Sequence, residues 1–175
     1  MPATAYRLTM PPMRSSGAVF ASPHSGRAYS RAFLAATRLD RRAIRSSEDC
    51  YVDLLFEHAP ACGAPLLAAE APRAFVDVNR AADELDPAVI EGARAQAFNP
   101  RVASGLGVIP RVVANGRAIY DGKLSRAEAE ARIDTWYRPY HARLRALLDE
   151  AQAAFGGALL VDCHSMPHEA LETAV

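Results

Sequence analysis

The sequence predicts an α/β fold, on three observations. Two short apolar runs that open on glycine, GAVFAS at 17–22 and GALLV at 157–161, read as strands, the second buried on both faces. A long segment opening near Ser125 places its apolar residues at helical spacing. Each of the two runs ends in a short segment carrying a histidine, His24 or His164. Open α/β sheets bind ligands beyond the carboxyl ends of their strands.

A chain of 175 residues is long enough for one domain with a sizeable core, and a single domain over 1–175 is expected. Lys and Arg total 20 and so do Asp and Glu, which gives no argument for nucleic acid or an anionic membrane as partner. The three cysteines have no CxxC spacing and suggest neither a disulfide framework nor a zinc knuckle. Free thiols fit a reducing cytoplasm. The N-terminus lacks a charged start followed by an apolar core, so no signal peptide is expected. No apolar run approaches the ~20 residues that span a bilayer.

Taken in order, Met1 to Ser16 reads as an extended arm ending in an edge strand. Gly17–Ser22 is the first main strand, and Pro23 and Gly26 shape the turn around His24. Ser30 to Ala36 suggests a short helix. Ser46 or Ser47 can cap a longer helix running to Gly63, with Glu48 and Asp49 in its first turn and an apolar stripe of Val52, Leu55, Phe56 and Ala59. His58 lies mid-helix, at the surface or packed. Ala64–Ala69 and Ala74–Val78 read as further strands. Asp77 sits inside the second of these and needs a buried partner, for which Arg73 is placed. Asn79 and Arg80 follow, either as a surface strand exit or as an anion clamp. Asp83 to Arg101 is weakly helical. Asn115-Gly116 joins IPRVV to RAIY as a hairpin that could cover a site. Ser125 to Glu128 matches a capping box. The following helix carries Trp136, Tyr137, Tyr140, Leu144, Leu147 and Leu148 on one face, and Pro139 should kink it. His141 lies beside that face, packed or facing a pocket. Gly157 opens the last strand, whose alternation puts Asp162 and His164 on the same side. His168 is expected at the surface.

Two strand-end imidazoles plus one acid, with a fourth position open to water, make a catalytic zinc set. His24 and His164 supply the imidazoles and the Glu48-Asp49 pair the acid.

The segments SPHSG, SEDCYVDLLF, RAFVDVNR, YRPYH and VDCHSM resemble those of the N-formylglutamate amidohydrolase family, in the family's order and at about its separations. The resemblance implies a mixed, mostly parallel sheet with helices on both faces, as in the zinc carboxypeptidase or phosphorylase/hydrolase-like fold. It implies hydrolysis of an N-acyl amino acid by water activated on Zn2+. The family's named substrate, N-formylglutamate, arises late in histidine breakdown. Carried over by motif, His24, His164 and an acid at the helix start are metal ligands. The family's pattern favours Asp49, with Glu48 as its competitor and as the candidate general base. Asn79, Arg80, Arg73 and His141 are the substrate-binding candidates, and Asp162 would orient His164. Other members run well beyond DCHSM and, by analogy with the carboxypeptidases, carry a late glutamate as base. A chain stopping at Val175 would be C-terminally short, with an open sheet edge that invites a homodimer.

Overall fold

The computed structural model describes residues 4–94 and 99–166. A four-stranded sheet organises them. Its strands are β1 (Tyr6–Thr9), β2 (Ala18–Ser22), β3 (Leu66–Ala69) and β6 (Leu159–Asp162), in the order β1-β3-β2-β6. β2 runs parallel to both β3 and β6, while β1 is antiparallel to β3. The sheet is mixed and mostly parallel, as expected.

Alternation along β2 explains the two-sided cover. Val19 is fully buried among Leu67, Tyr140 and Leu147, under the long helix α5 (Arg138–Phe155). Phe20 points the other way and meets Phe56 at a ring separation of 5.7 Å. Phe56 follows the short helix α2 (Val52–Leu55). A second core, around Phe33, Ile44, Val76, Ile109, Ile119 and Ile133, binds the connecting segments into one mass. It takes in the helices α1 (Arg31–Ala36) and α4 (Arg126–Arg132) and the hairpin strand β4 (Val112–Val113). The hairpin closes on β5 (Arg117–Ala118). Asn115 and Gly116 both take positive φ, 61° and 66°, which is what an Asn-Gly turn supplies.

Local chemistry accounts for several boundaries. Ser30 and Ser125 each accept the N–H three residues on, at 3.1 Å, and start α1 and α4. Pro139 has no N–H to donate, and the helix answers with one π-turn over Ile133–Tyr137 rather than a break. There the Arg138 N–H reaches back five residues, to the Ile133 carbonyl. Gly156, at φ 73°, ends α5.

Four expectations need correction. The helix foreseen from Ser46 to Gly63 is split into a 3-10 turn at Ile44–Ser47, α2, and a 3-10 turn at Pro60–Cys62. Tyr51 takes a left-handed conformation, φ 62°, which no continuous helix admits. Residues 74–78 form turns, not a strand: the Phe75 and Val76 N–H groups both turn back to the Pro72 carbonyl. The stretch expected to be weakly helical from Asp83 supplies only a short helix, α3 (Pro100–Ala103), among the described residues. β6 is not buried on both faces. It is an outer strand of the described sheet, with Leu159 63% and Leu160 42% exposed. His168 lies outside the described residues.

Gly26 holds the turn after β2 against the backbone beyond β3. A Cβ there would sit 2.1 Å from the Ala71 carbonyl oxygen. Gly26→Ala should therefore cost about 1–3 kcal/mol, through a forced backbone shift. The check is the thermal midpoint, which should fall by roughly 2 °C or more. An unchanged midpoint would mean that the turn is free to move.

Candidate active site

The parallel pairing of β2 with β6 brings their C-terminal ends together, and with them His24 and His164. Their ring centroids are 4.8 Å apart. The break in the predicted helix brings in the acid. Glu48 is extended, at φ −68° and ψ 141°, so Asp49 leaves the helical path. The Asp49 N–H donates to the His24 carbonyl at 3.1 Å, stitching this segment to the β2 turn.

Asp49 is 5% exposed. Its Oδ2 lies 2.8 Å from His164 Nδ1 and 3.5 Å from His24 Nδ1, and it accepts the Ser165 N–H at 3.3 Å. Each imidazole is braced from behind by a carboxylate. His24 Nε2 meets Asp77 Oδ1 at 2.7 Å, and His164 Nε2 meets Asp162 Oδ2 at 3.0 Å. With Nε2 the protonated nitrogen on each ring, Asp77 and Asp162 accept from behind and both Nδ1 atoms face Asp49 as ligands for a cation; without a cation, the 2.8 Å contact requires a proton on His164 Nδ1. One ligand atom each from His24, Asp49 and His164 lies within 4.8 Å of the others, so the three form a possible metal-binding triad.

Two observations fit a cation in this place. His24 Nδ1 is buried without a hydrogen-bond partner, since 3.5 Å is an ion-pair distance rather than a hydrogen bond. The electrostatics also favour positive charge. Burial alone would lower the His24 pKa, but Asp49 and Asp77 outweigh it and raise it. Burial alone would raise the two acids. Instead His24 and His164 hold Asp49 below the usual carboxylate range, and His24, Arg73 and Arg80 pull Asp77 down to about 2.

Beside the triad lies a cavity of about 630 Å³, with Asp49, Arg73, Val113, Asn115, Gly116 and Ser165 in its wall. The hairpin tip thus forms one side of the cavity that holds the acid ligand candidate. A model of the N-formylglutamate amidohydrolase family matches residues 16–174.

The chain belongs to the N-formylglutamate amidohydrolase family. Over 146 residues it is 30% identical to N-formylglutamate deformylase of Pseudomonas putida, covering 82% of this chain and 49% of that protein. The Pseudomonas aeruginosa deformylase gives 30% over 148 residues, covering 82% and 50%. The chain therefore spans about half the length of these curated relatives. The crystal structure of N-formylglutamate amidohydrolase from Ralstonia eutropha JMP134 superposes with a TM-score of 0.88 at 38% identity, over 96% of this chain and 60% of that one. A structure from Agrobacterium tumefaciens, at 18% identity and TM-score 0.62, shares the fold.

The remaining candidates of this N-formylglutamate amidohydrolase family member take distinct places. Glu48 is not in the triad. Arg45 donates to both its oxygens at 3.0–3.1 Å, and its side chain is 1% exposed. Arg73 donates from Nε to Asp77 Oδ2 at 3.0 Å and also lines the cavity. Arg80 faces backbone: Nε donates to the Leu106 carbonyl and Nη1 to the Asn79 carbonyl, at 3.0 and 2.7 Å. The side-chain amide of Asn79 lies 3.1 Å from His164 Nε2. His141 Nε2 donates to the Val78 carbonyl at 2.7 Å, and Tyr137 donates its hydroxyl hydrogen to the Arg80 carbonyl at 2.8 Å. The YRPYH segment thus clamps both ends of Val78–Arg80.

Asp77 is the residue whose role the sequence reading missed. Its buried position and its Arg73 partner were legible. Its contact with His24 was not, because that contact spans 53 residues and follows no local pattern.

Proposed function

We propose that this protein hydrolyses the N-formyl, or another N-acyl, group of glutamate or a related amino acid, with Zn2+ held by His24, Asp49 and His164. The observation that carries this reading is the convergence of three donors of catalytic-zinc type, two of them braced by carboxylates, in a chain of this family. Zinc in that position supplies Lewis acidity toward an amide carbonyl and brings the pKa of water toward ~7. The protein's own groups hold the metal and position the substrate. Asp77 and Asp162 keep the imidazoles in the ligating tautomer. Asp49 supplies the negative charge. Arg73, in the cavity wall, holds a carboxylate of the substrate, and Asn79 and Arg80 shape the segment beside His164.

The test is zinc content by elemental analysis, followed by formate release from N-formyl-L-glutamate. About one zinc per chain with formate release supports the reading. Stoichiometric zinc without release from any N-acyl amino acid overturns the hydrolase. Arg73→Gln should raise KM for the acidic substrate by about tenfold or more while zinc stays bound. Equal loss of zinc and substrate binding would reduce Arg73 to a brace for Asp77.

A second reading is favoured by one observation. The carboxylate nominated as general base, Glu48, is committed to Arg45. A family member that binds metal and a carboxylate ligand without turnover has the same triad and the same cavity. It predicts saturable binding of N-formylglutamate with no formate.

A further inference from the structure

A second cavity, of about 1030 Å³, lies beside the first, with Ser46 and Cys50 in the walls of both. Six of its lining side chains are arginines, against one acid, Asp40. In a chain with as many acids as bases, this is a local concentration of positive charge. Three of the arginines are committed: Arg27 forks onto Asp53 at 2.8 and 3.0 Å, Arg45 onto Glu48, and Arg117 donates from Nε to the Ala114 carbonyl at 3.3 Å. The side chains of Arg31, Arg41 and Arg42 have neither a hydrogen bond nor an ion pair among the described residues. Asp40 is the one acid set against them: its Oδ1 accepts the backbone N–H groups of Ala43 and Arg42 at 2.7 and 2.9 Å, and these bonds, with the charges of Arg117 and Arg42, hold its carboxyl below the usual range. Tyr29 and Leu34 add an aromatic and apolar wall.

Three exposed arginines without side-chain partners line one concavity, and an anion seated there gains their charge. The guanidinium fork matches phosphoryl and carboxylate oxygens. The volume suits a small molecule. We propose that this cavity binds a small organic oxyanion of at least two negative charges, with Arg31, Arg41 and Arg42 as its charged contacts and Tyr29 and Leu34 against its apolar part. The site is separate from the His24, Asp49 and His164 triad.

The experiment is calorimetric titration of the zinc-loaded protein at low ionic strength, with pyrophosphate in one arm and citrate in the other. One saturable site per chain is expected, weakening as salt is added. The exposed pair Arg41→Gln/Arg42→Gln should weaken it by about tenfold or more. Arg138→Gln, which alters an exposed arginine on α5 outside this cavity, should leave it unchanged. Preference for pyrophosphate assigns phosphoryl chemistry, and preference for citrate assigns polycarboxylates. The proposal is overturned if neither anion saturates, or if the double variant binds as the parent does. It is overturned equally if binding is lost in His164→Ala but kept in the arginine variant, which places the anion on the metal.

Discussion

Asp77→Ala is expected to weaken zinc binding on the order of 10- to 100-fold and to destabilise the fold by about 3–5 kcal/mol. Both effects have one origin. The Asp77 carboxylate, 1% exposed, holds His24 from behind and at the same time neutralises Arg73. It also accepts the Asn79 N–H at 2.9 Å. Removing it frees the imidazole to rotate and to change tautomer, and it leaves an arginine beside the site without its acid. Asp77→Asn separates the two roles, because the amide keeps a polar group of the same shape but not the charge. Zinc titration and thermal unfolding in chelator read the two effects independently. Lost stability with unchanged zinc affinity would make Asp77 a structural residue alone.

His24→Ala and His164→Ala are each expected to retain less than about one-tenth of the parental zinc. Their stabilities should differ. His24 is 2% exposed, and its removal opens a void beside two acids. The His164 side chain is 33% exposed at the sheet border, so its loss should cost metal and little else. Elemental analysis checks the first statement, and unfolding in the presence of chelator checks the second. Stoichiometric zinc in both variants would refute the ligand assignment.

What was legible in the sequence followed local rules. The apolar runs before His24 and His164 announced strands with candidate ligands at their ends. Asn115-Gly116 announced a hairpin, and Ser125 a helix start. Asp49 was legible as a residue but not as a geometry. A dipole-favouring acid after a serine reads as a first helical turn. The left-handed Tyr51 and the long-range bond from Asp49 to the His24 carbonyl, which bend the chain there, leave no local trace. Residues 74–78 show the same limit. An apolar run reports burial, and burial is equally served by a packed turn. β6 was misjudged for a related reason: four apolar residues predict a strand but do not say how many neighbours it finds.

The pairing of Asp49 with His164 joins positions separated by 115 residues. A cation shared by them would act as a covalent staple does, removing freedom from the unfolded chain. In the chain-entropy picture a closed loop of ~100 residues is worth about 4.7 kcal/mol. The cation proposed for catalysis would then double as the clasp that keeps β6 docked. Chelation should consequently be felt as architecture before it is felt as chemistry, with the amides of β6 the first to exchange their hydrogens with solvent.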